Sequence, residues 1–183
     1  MRAHKLPKSL RLYATPPMTT SIAASSPLAP AAGSLPAAAA VTAVLDTNVV
    51  LDLLLFKDPK VLALRQALTA RVLRWIATER MLDELSQVLR RAALAPWGHD
   101  SAQVMAEVER LCQRVASCPE TGGRAPRCTD PDDQMFIDLA WRWPATLLFS
   151  RDRALLRLAR PAKPHGLWIG TPERWPAPTP THP

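Results

Sequence analysis

Asp46 stands directly after a short run of β-branched and aliphatic residues, Val41 to Leu45, and Asp152 follows a second such run, Ala145 to Ser150. Glu84 and Asp133 fall where the first turns of helices are expected. If both runs are parallel strands, the two aspartates lie beyond their carboxyl ends, where ligands bind in open α/β sheets, and the helices carrying Glu84 and Asp133 can point at the same end. Four carboxylates gathered there repel one another and cost stability unless a cation neutralises them. An all-oxygen acidic cluster suits Mg2+ or Mn2+. Such a cation lowers the pKa of a bound water, orients it toward a phosphodiester and offsets charge on the departing oxygen. Each acid taken singly has a plainer explanation: an aspartate after a strand often caps a helix, and Asp130, Asp132 and Asp133 all lie where a helix macrodipole favours negative charge. The joint placement is what points to chemistry.

The elements that must position these acids can be read from periodicity. Val41 to Leu45 reads as a strand, Asp46-Thr47-Asn48 as a sharp turn, and Val49 to Phe56 as a helix. Asp58-Pro59 has the N-cap and first-turn proline of a second helix, with Val61, Leu64 and Leu68 on one face and an end near Ala70. Val72 to Ile76 is the second strand. Thr78 caps a helix through Arg91, whose stripe is Leu82, Leu85 and Leu89. Asp100 or Ser101 opens a helix in which Val104, Val108, Leu111, Cys112 and Val115 keep helical spacing, making Cys112 a core residue. Asp130-Pro131 repeats the N-cap signature ahead of Met135, Phe136, Leu139 and Ala140, and Pro144 stops that helix. Ala145 to Ser150 is the third strand, Asp152 to Ala159 a short helix, and Leu167 to Ile169 the fourth strand. This alternation predicts an α/β fold with a mostly parallel central sheet covered on both faces.

Composition limits the setting. The chain has 183 residues, enough for one domain of common size, and 48% hydrophobic with 21% charged residues excludes a wholly disordered or fibrous chain. Nineteen prolines are concentrated toward the two ends, so residues 1–40 are expected to form a disordered Ala/Pro-rich arm and residues 176–183 a proline-rich tail around a body over 41–175. The arm holds Arg2, Lys5, Lys8 and Arg11 and no acid, which leaves 19 cations against 16 acids, or +3 of the total +7, for the rest. A polyanionic partner is compatible with that modest excess. The arm lacks the unbroken apolar stretch of a secretory signal, its prolines oppose the amphipathic helix of a transit peptide, and Met18 is an alternative start. No apolar run is long enough to span a membrane. The odd set Cys112, Cys118 and Cys128, without a C-x-x-C pair, indicates a reducing cytoplasm, and the four scattered histidines have no metal-binding spacing.

Four segments in order, Leu45-Asp46-Thr47-Asn48-Val49-Val50-Leu51-Asp52, Leu82-Asp83-Glu84-Leu85, Asp130-Pro131-Asp132-Asp133-Gln134-Met135-Phe136-Ile137-Asp138-Leu139-Ala140 and Ser150-Arg151-Asp152, resemble the PIN-domain ribonucleases. The similarity is strongest to the branch of toxin components of toxin-antitoxin systems, the VapC-type toxins, and extends to the late Gly170-Thr171-Pro172-Glu173-Arg174-Trp175. It covers residues 41–175. It implies a three-layer α/β/α fold, a Mg2+ or Mn2+ site formed by Asp46, Glu84, Asp133 and Asp152, and single-stranded RNA as substrate. Asp133 is preferred to Asp130 and Asp132 because the family's acid stands seven residues before the helix alanine, here Ala140, which leaves Asp130 as the N-cap. A toxin role further implies an antitoxin protein that blocks the site, and a homodimer is common among relatives. Many relatives have threonine and glycine before the last aspartate; Ser150 keeps the hydroxyl, and Arg151 is a candidate phosphate contact.

Thr47 and Asn48 can hydrogen-bond a neighbouring carboxylate or the scissile phosphate, although for Asn48 a turn bonded only to backbone is an equal alternative. Six tryptophans, three of them in Arg-Trp pairs, are read as core residues rather than base-stacking platforms. Arg65, Arg71, Arg90, Arg91, Arg151 and Arg157 are the candidates for phosphate contact, with a solvated helix face as the alternative. Two rival functions remain. A phosphohydrolase of the haloacid-dehalogenase kind would need a second aspartate where Asn48 stands. A catalytically silent module binding RNA or an antitoxin would not need the intact acids.

Overall fold

The five strands found among the described residues are β1 (Val41–Leu45), β2 (Leu73–Thr78), β3 (Cys112–Val115), β4 (Leu147–Phe149) and β5 (Trp168–Gly170), all parallel, in the order β3-β2-β1-β4-β5. These come from a computed structural model that describes residues 41–116, 125–143 and 145–175. The basic arm over 1–40, the tail over 176–183, Cys118 and the helix-stopping Pro144 lie outside the described residues.

Among the described residues, seven α-helices connect the strands: α1 (Thr47–Leu54), α2 (Leu62–Thr69), α3 (Glu79–Leu89), α4 (Ser101–Leu111), α5 (Gln134–Arg142), α6 (Arg153–Leu156) and α7 (Ala159–Ala162). With helices over both faces of the sheet, the layers are α/β/α, as expected from the alternating pattern. That arrangement explains why β1 is a continuous apolar run: a central strand covered on both faces has no polar side, and Thr42 to Leu45 are all buried. All eight residues of α1 are buried as well, including Thr47, Asn48 and Asp52. α5 contributes Phe136, Ile137, Leu139 and Ala140 to the core. Full burial of each large member stabilises by about 1.5–3 kcal/mol and anchors the helix that Asp133 precedes.

Strand order determines where a site can form. The chain grows from β1 through β2 to β3 on one side, then returns with β4 and β5 on the other, so the direction of winding reverses between β1 and β4. A crevice opens at the carboxyl ends of strands at such a reversal. Register completes the placement: Leu45 pairs with Phe149, which sets Asp46 opposite Ser150.

Several boundaries differ from the sequence expectation. Cys112 to Val115 is a strand, not the end of a helix; α4 stops at Leu111, and Cys112 is only half-buried, so its reading as a helical core residue is corrected. Pro59–Val61 is a 3-10 turn, with Asp58 accepting from the Lys60 amide, and the α-helix begins at Leu62. The Asp130 side chain accepts from the Asp132 amide in a turn, and α5 starts three residues beyond Pro131 with Asp133 at its N-cap position. Asp130 is therefore not the cap of that helix. Trp75 is fully buried, and Trp97, Trp141, Trp143, Trp168 and Trp175 pack partly buried against the core.

Candidate active site

Asp46 ends β1 and precedes α1. Its amide donates to the Phe149 carbonyl (2.9 Å), which ties the end of β1 to β4, and its own carbonyl accepts from the amides of Val49 and Val50. Although it occupies the N-cap position, its side chain makes no capping bond. The carboxylate instead accepts from Asn48 Nδ2 (2.6 Å) and Ser150 Oγ (2.5 Å), both on Oδ2, and neither bond uses Oδ1. The simple capping explanation thus does not account for this aspartate. The residue is 4% exposed.

A ring of hydrogen bonds surrounds that carboxylate. Asn48 Oδ1 accepts from the Arg151 amide (3.2 Å), and Ser150 Oγ accepts from the Asp152 amide (2.9 Å). Asn48 thus donates to one strand end and accepts from the other, and the two bonds fix which side-chain atom is oxygen and which nitrogen. Thr47 is buried beside Asn48, and its hydroxyl is not among the partners of Asp46. Asp152 Oδ1 accepts from the Ala154 amide (2.6 Å), so this aspartate does cap its helix, α6, while its charge faces Asp46.

The other two acids approach from helices. Glu84 lies in the second turn of α3, not in the first as expected, and is half-buried. Asp133, also half-buried, precedes α5. Burial pushes Asp46 up to about 7; Ser150 and Asn48 oppose the rise, and the charges of Asp152 and Glu84 add to it. Burial likewise pushes Asp133 up to about 8, reinforced by the charges of Asp46, Asp152, Asp130 and Glu84. Glu84 is raised by burial and by Asp132, against the pull of Arg91 and Arg80. Asp46 and Asp133 therefore lie within electrostatic reach of each other and of both Asp152 and Glu84. Among the described residues, no three histidine, cysteine or acidic side chains form a closed ligand set.

This donor set fits a hard divalent cation. It is all oxygen, burial first and the neighbouring acids second raise Asp46 to about 7 and Asp133 to about 8 so that a cation would offset both, and Mg2+ typically keeps several waters and needs only one or two carboxylates. Asp46 and Asp133 would hold such an ion, with Glu84 and Asp152 completing the negative field.

Arg151 is differently employed from the expected phosphate contact. Its Nε donates to Asp52 Oδ2 (2.5 Å), its Nη1 to both oxygens of Glu173 (2.9 and 3.0 Å), and its Nη2 lies 3.7 Å from Asp58. Sequence reasoning missed these three acids. The available signal was Asp52, a carboxylate inside the apolar run Val49 to Leu54, which can be buried only with a partner. Of the proposed phosphate-contacting arginines, Arg65 donates to the Leu53 carbonyl and Arg90 to Ser86.

The two described cysteines, Cys112 and Cys128, are unbridged, and burial pushes the Cys112 thiol up to about 12, leaving it inert as a nucleophile. No helix among the described residues is long and apolar enough to cross a membrane.

No curated protein matches the chain. The family model described as PIN domain matches residues 42–154, a span that opens in β1, closes in α6 and includes Asp46, Glu84, Asp133 and Asp152. PIN domains are usually nucleases and generally bind divalent metals. With the five-stranded parallel sheet and more than half of the chain matched, this protein belongs to the PIN-domain family.

Proposed function

We propose that the protein is a divalent-metal-dependent endoribonuclease that hydrolyses phosphodiester bonds of single-stranded RNA, with Mg2+ or Mn2+ held by Asp46, Glu84, Asp133 and Asp152. The observation that carries this reading is the buried Asp46 carboxylate, fixed on one oxygen by Asn48 and Ser150 and faced by three further acids. When bound, the ion supplies an activated water and offsets charge on the departing oxygen. The chain's residues do the rest. Asn48 and Ser150 orient Asp46 so that it need not reorganise during reaction. Burial and the neighbouring acids raise Asp46 to about 7 and Asp133 to about 8, so their charged, ligating forms would be favoured beside a bound cation. The Asp152 backbone amide donates to Ser150 Oγ and so holds the hydroxyl that donates to Asp46, while the bond from the Asp46 amide to the Phe149 carbonyl keeps the end of β4 in register with the end of β1.

The toxin role in a toxin-antitoxin pair, the cognate antitoxin protein and the homodimer rest on the resemblance of motifs. The cytoplasmic setting rests on the odd, unpaired cysteine set, and the nuclease domain over 41–175 flanked by a basic arm and a tail rests on that resemblance together with the proline-rich ends. One observation favours the rival binding module: the acids do not form a closed ligand set among the described residues.

Purified protein, incubated with a mixed single-stranded RNA pool in EDTA, Mg2+ or Mn2+, separates the two. Metal-dependent cleavage that disappears in both Asp46→Asn and Asp133→Asn is the expected result. Folded wild type that binds RNA and cuts none with either metal would replace the nuclease with the binding module.

A further inference from the structure

Arg151 lies between two residues of the site, Ser150 and Asp152, yet its side chain turns away from them into three carboxylates. Asp52 lies in α1 and is 1% exposed; Asp58 lies in the turn after α1; Glu173 lies in the 3-10 turn Pro172–Arg174 beyond β5. The Arg151 side chain is itself only 15% exposed. One cation is thus held by acids from three separate parts of the chain, and its two hydrogen-bonded carboxylates, Asp52 and Glu173, come from different elements. Nε and Nη1 already carry carboxylates and Nη2, though without a hydrogen bond, is buried, which makes the group a poor substrate contact. Its planar fork is well suited to fixing a backbone position instead.

The backbone it fixes is the one that matters. The Arg151 amide donates to Asn48 Oδ1, Ser150 Oγ donates to Asp46 Oδ2, and the Asp152 amide donates to Ser150 Oγ. A shift of the 150–152 segment would loosen both hydrogen bonds on Asp46 together and carry Asp152 with it. Resting on the nuclease reading above, we propose that Arg151 is a positioning residue. Clamped by Asp52, Asp58 and Glu173, it holds the 150–152 segment against Asp46 so that the acids can take a divalent cation. Glu173 lies beyond the family-matched span of 42–154, so part of what shapes the site comes from a turn outside that span.

The test uses the full chain and two readouts. Mn2+ binding is followed without RNA by the electron paramagnetic resonance of the free ion, and RNA cleavage gives kcat and KM. Arg151→Lys, which can satisfy only part of the clamp, and Glu173→Ala are expected to weaken Mn2+ binding at least threefold and to lower kcat with KM held within twofold. Arg151→Met alone strands the buried Asp52 charge, so Asp52→Asn with Arg151→Met, which removes both charges together, guards against simple loss of the fold. Folded variants with unchanged Mn2+ binding would overturn the proposal, as would a rise in KM at unchanged kcat, the mark of a direct RNA contact. Wild type that neither binds Mn2+ nor cuts RNA would overturn the nuclease reading itself and this proposal with it, an outcome distinguishable because it appears before any substitution.

Discussion

The Ser150 hydroxyl donates to Asp46 Oδ2 at 2.5 Å across a sequence separation of 104 residues. Parallel pairing of Leu45 with Phe149 creates this proximity, since the next residue on each strand leaves the sheet at the same level. Ser150 is wholly buried, so its hydroxyl has no solvent alternative, and Asp46 depends on it to counter the effect of burial.

Ser150→Ala removes that donor from a buried carboxylate. We expect about tenfold lower kcat, a higher Mg2+ requirement and a loss of about 1–2 kcal/mol of stability in the metal-loaded protein. Activity at graded Mg2+ and thermal melts with metal check both.

Stability of the metal-free protein should depend on pH through Asp46 and Asp133. An unfolded aspartate titrates near 3.9, whereas these two sit at about 7 and about 8 in the folded chain. Between those values the folded state retains protons that the unfolded state has lost, so stability contributed by these groups falls as pH rises from about 4 to about 8. Melts in EDTA should therefore give a higher Tm at pH 6 than at pH 8, and Mg2+ should raise Tm more at pH 8. A Tm that climbs from pH 6 to pH 8 in EDTA would contradict this assignment.

Asp133→Asn should separate activity from stability. The substitution removes a carboxylate that burial and four neighbouring charges disfavour. Asp133 is half-buried, so screening by solvent reduces the gain, and we expect on the order of 1 kcal/mol of stabilisation at pH 8 without metal. Cleavage should be lost in the same variant. Denaturant titration in EDTA, beside an RNA assay in Mn2+, reads both.

Gly170 ends β5 beneath the ring of Trp168, and a Cβ placed there would come within 2.5 Å of two ring atoms. Trp168 meets Phe149 edge-on with ring centres 5.5 Å apart, and Trp175 also meets Phe149 edge-on, at 5.6 Å. Gly170→Ala should push Trp168 off Phe149 and cost about 1–3 kcal/mol by overpacking. Tryptophan fluorescence and chemical denaturation would show it, and Gly98→Ala, an exposed position with open space but a left-handed backbone, offers a comparison in which only backbone strain acts.

The parts of the molecule that were legible in its sequence are those governed by local pattern. β1, β2, β4 and β5 are short apolar runs bounded by turns, and the stripes Leu82-Leu85-Leu89 and Val104-Val108 lie on buried helix faces. β3 was not legible because Leu111, Cys112 and Val115 continue the helical spacing of α4 without a break. What ends α4 is pairing of Cys112 through Val115 with Trp75 through Thr78, a contact between residues nearly 40 positions apart. At the site, Asp46, Asn48 and Ser150 stand in short recognisable motifs. The clamp on Arg151 was not legible for the opposite reason: Asp52, Asp58 and Glu173 share no motif with it, and only folding brings them together.

β3 pairs only with β2, so one rim of the sheet presents backbone donors and acceptors without a strand beside them among the described residues. Such a rim is a template on which another chain can add a strand. Gln113 and Arg114 are exposed there, and Arg114 is tethered to Glu79 and Glu109. This cluster of fixed charges makes the rim costly to dehydrate and so works as a guard against runaway sheet growth, one that salt would partly disarm by screening.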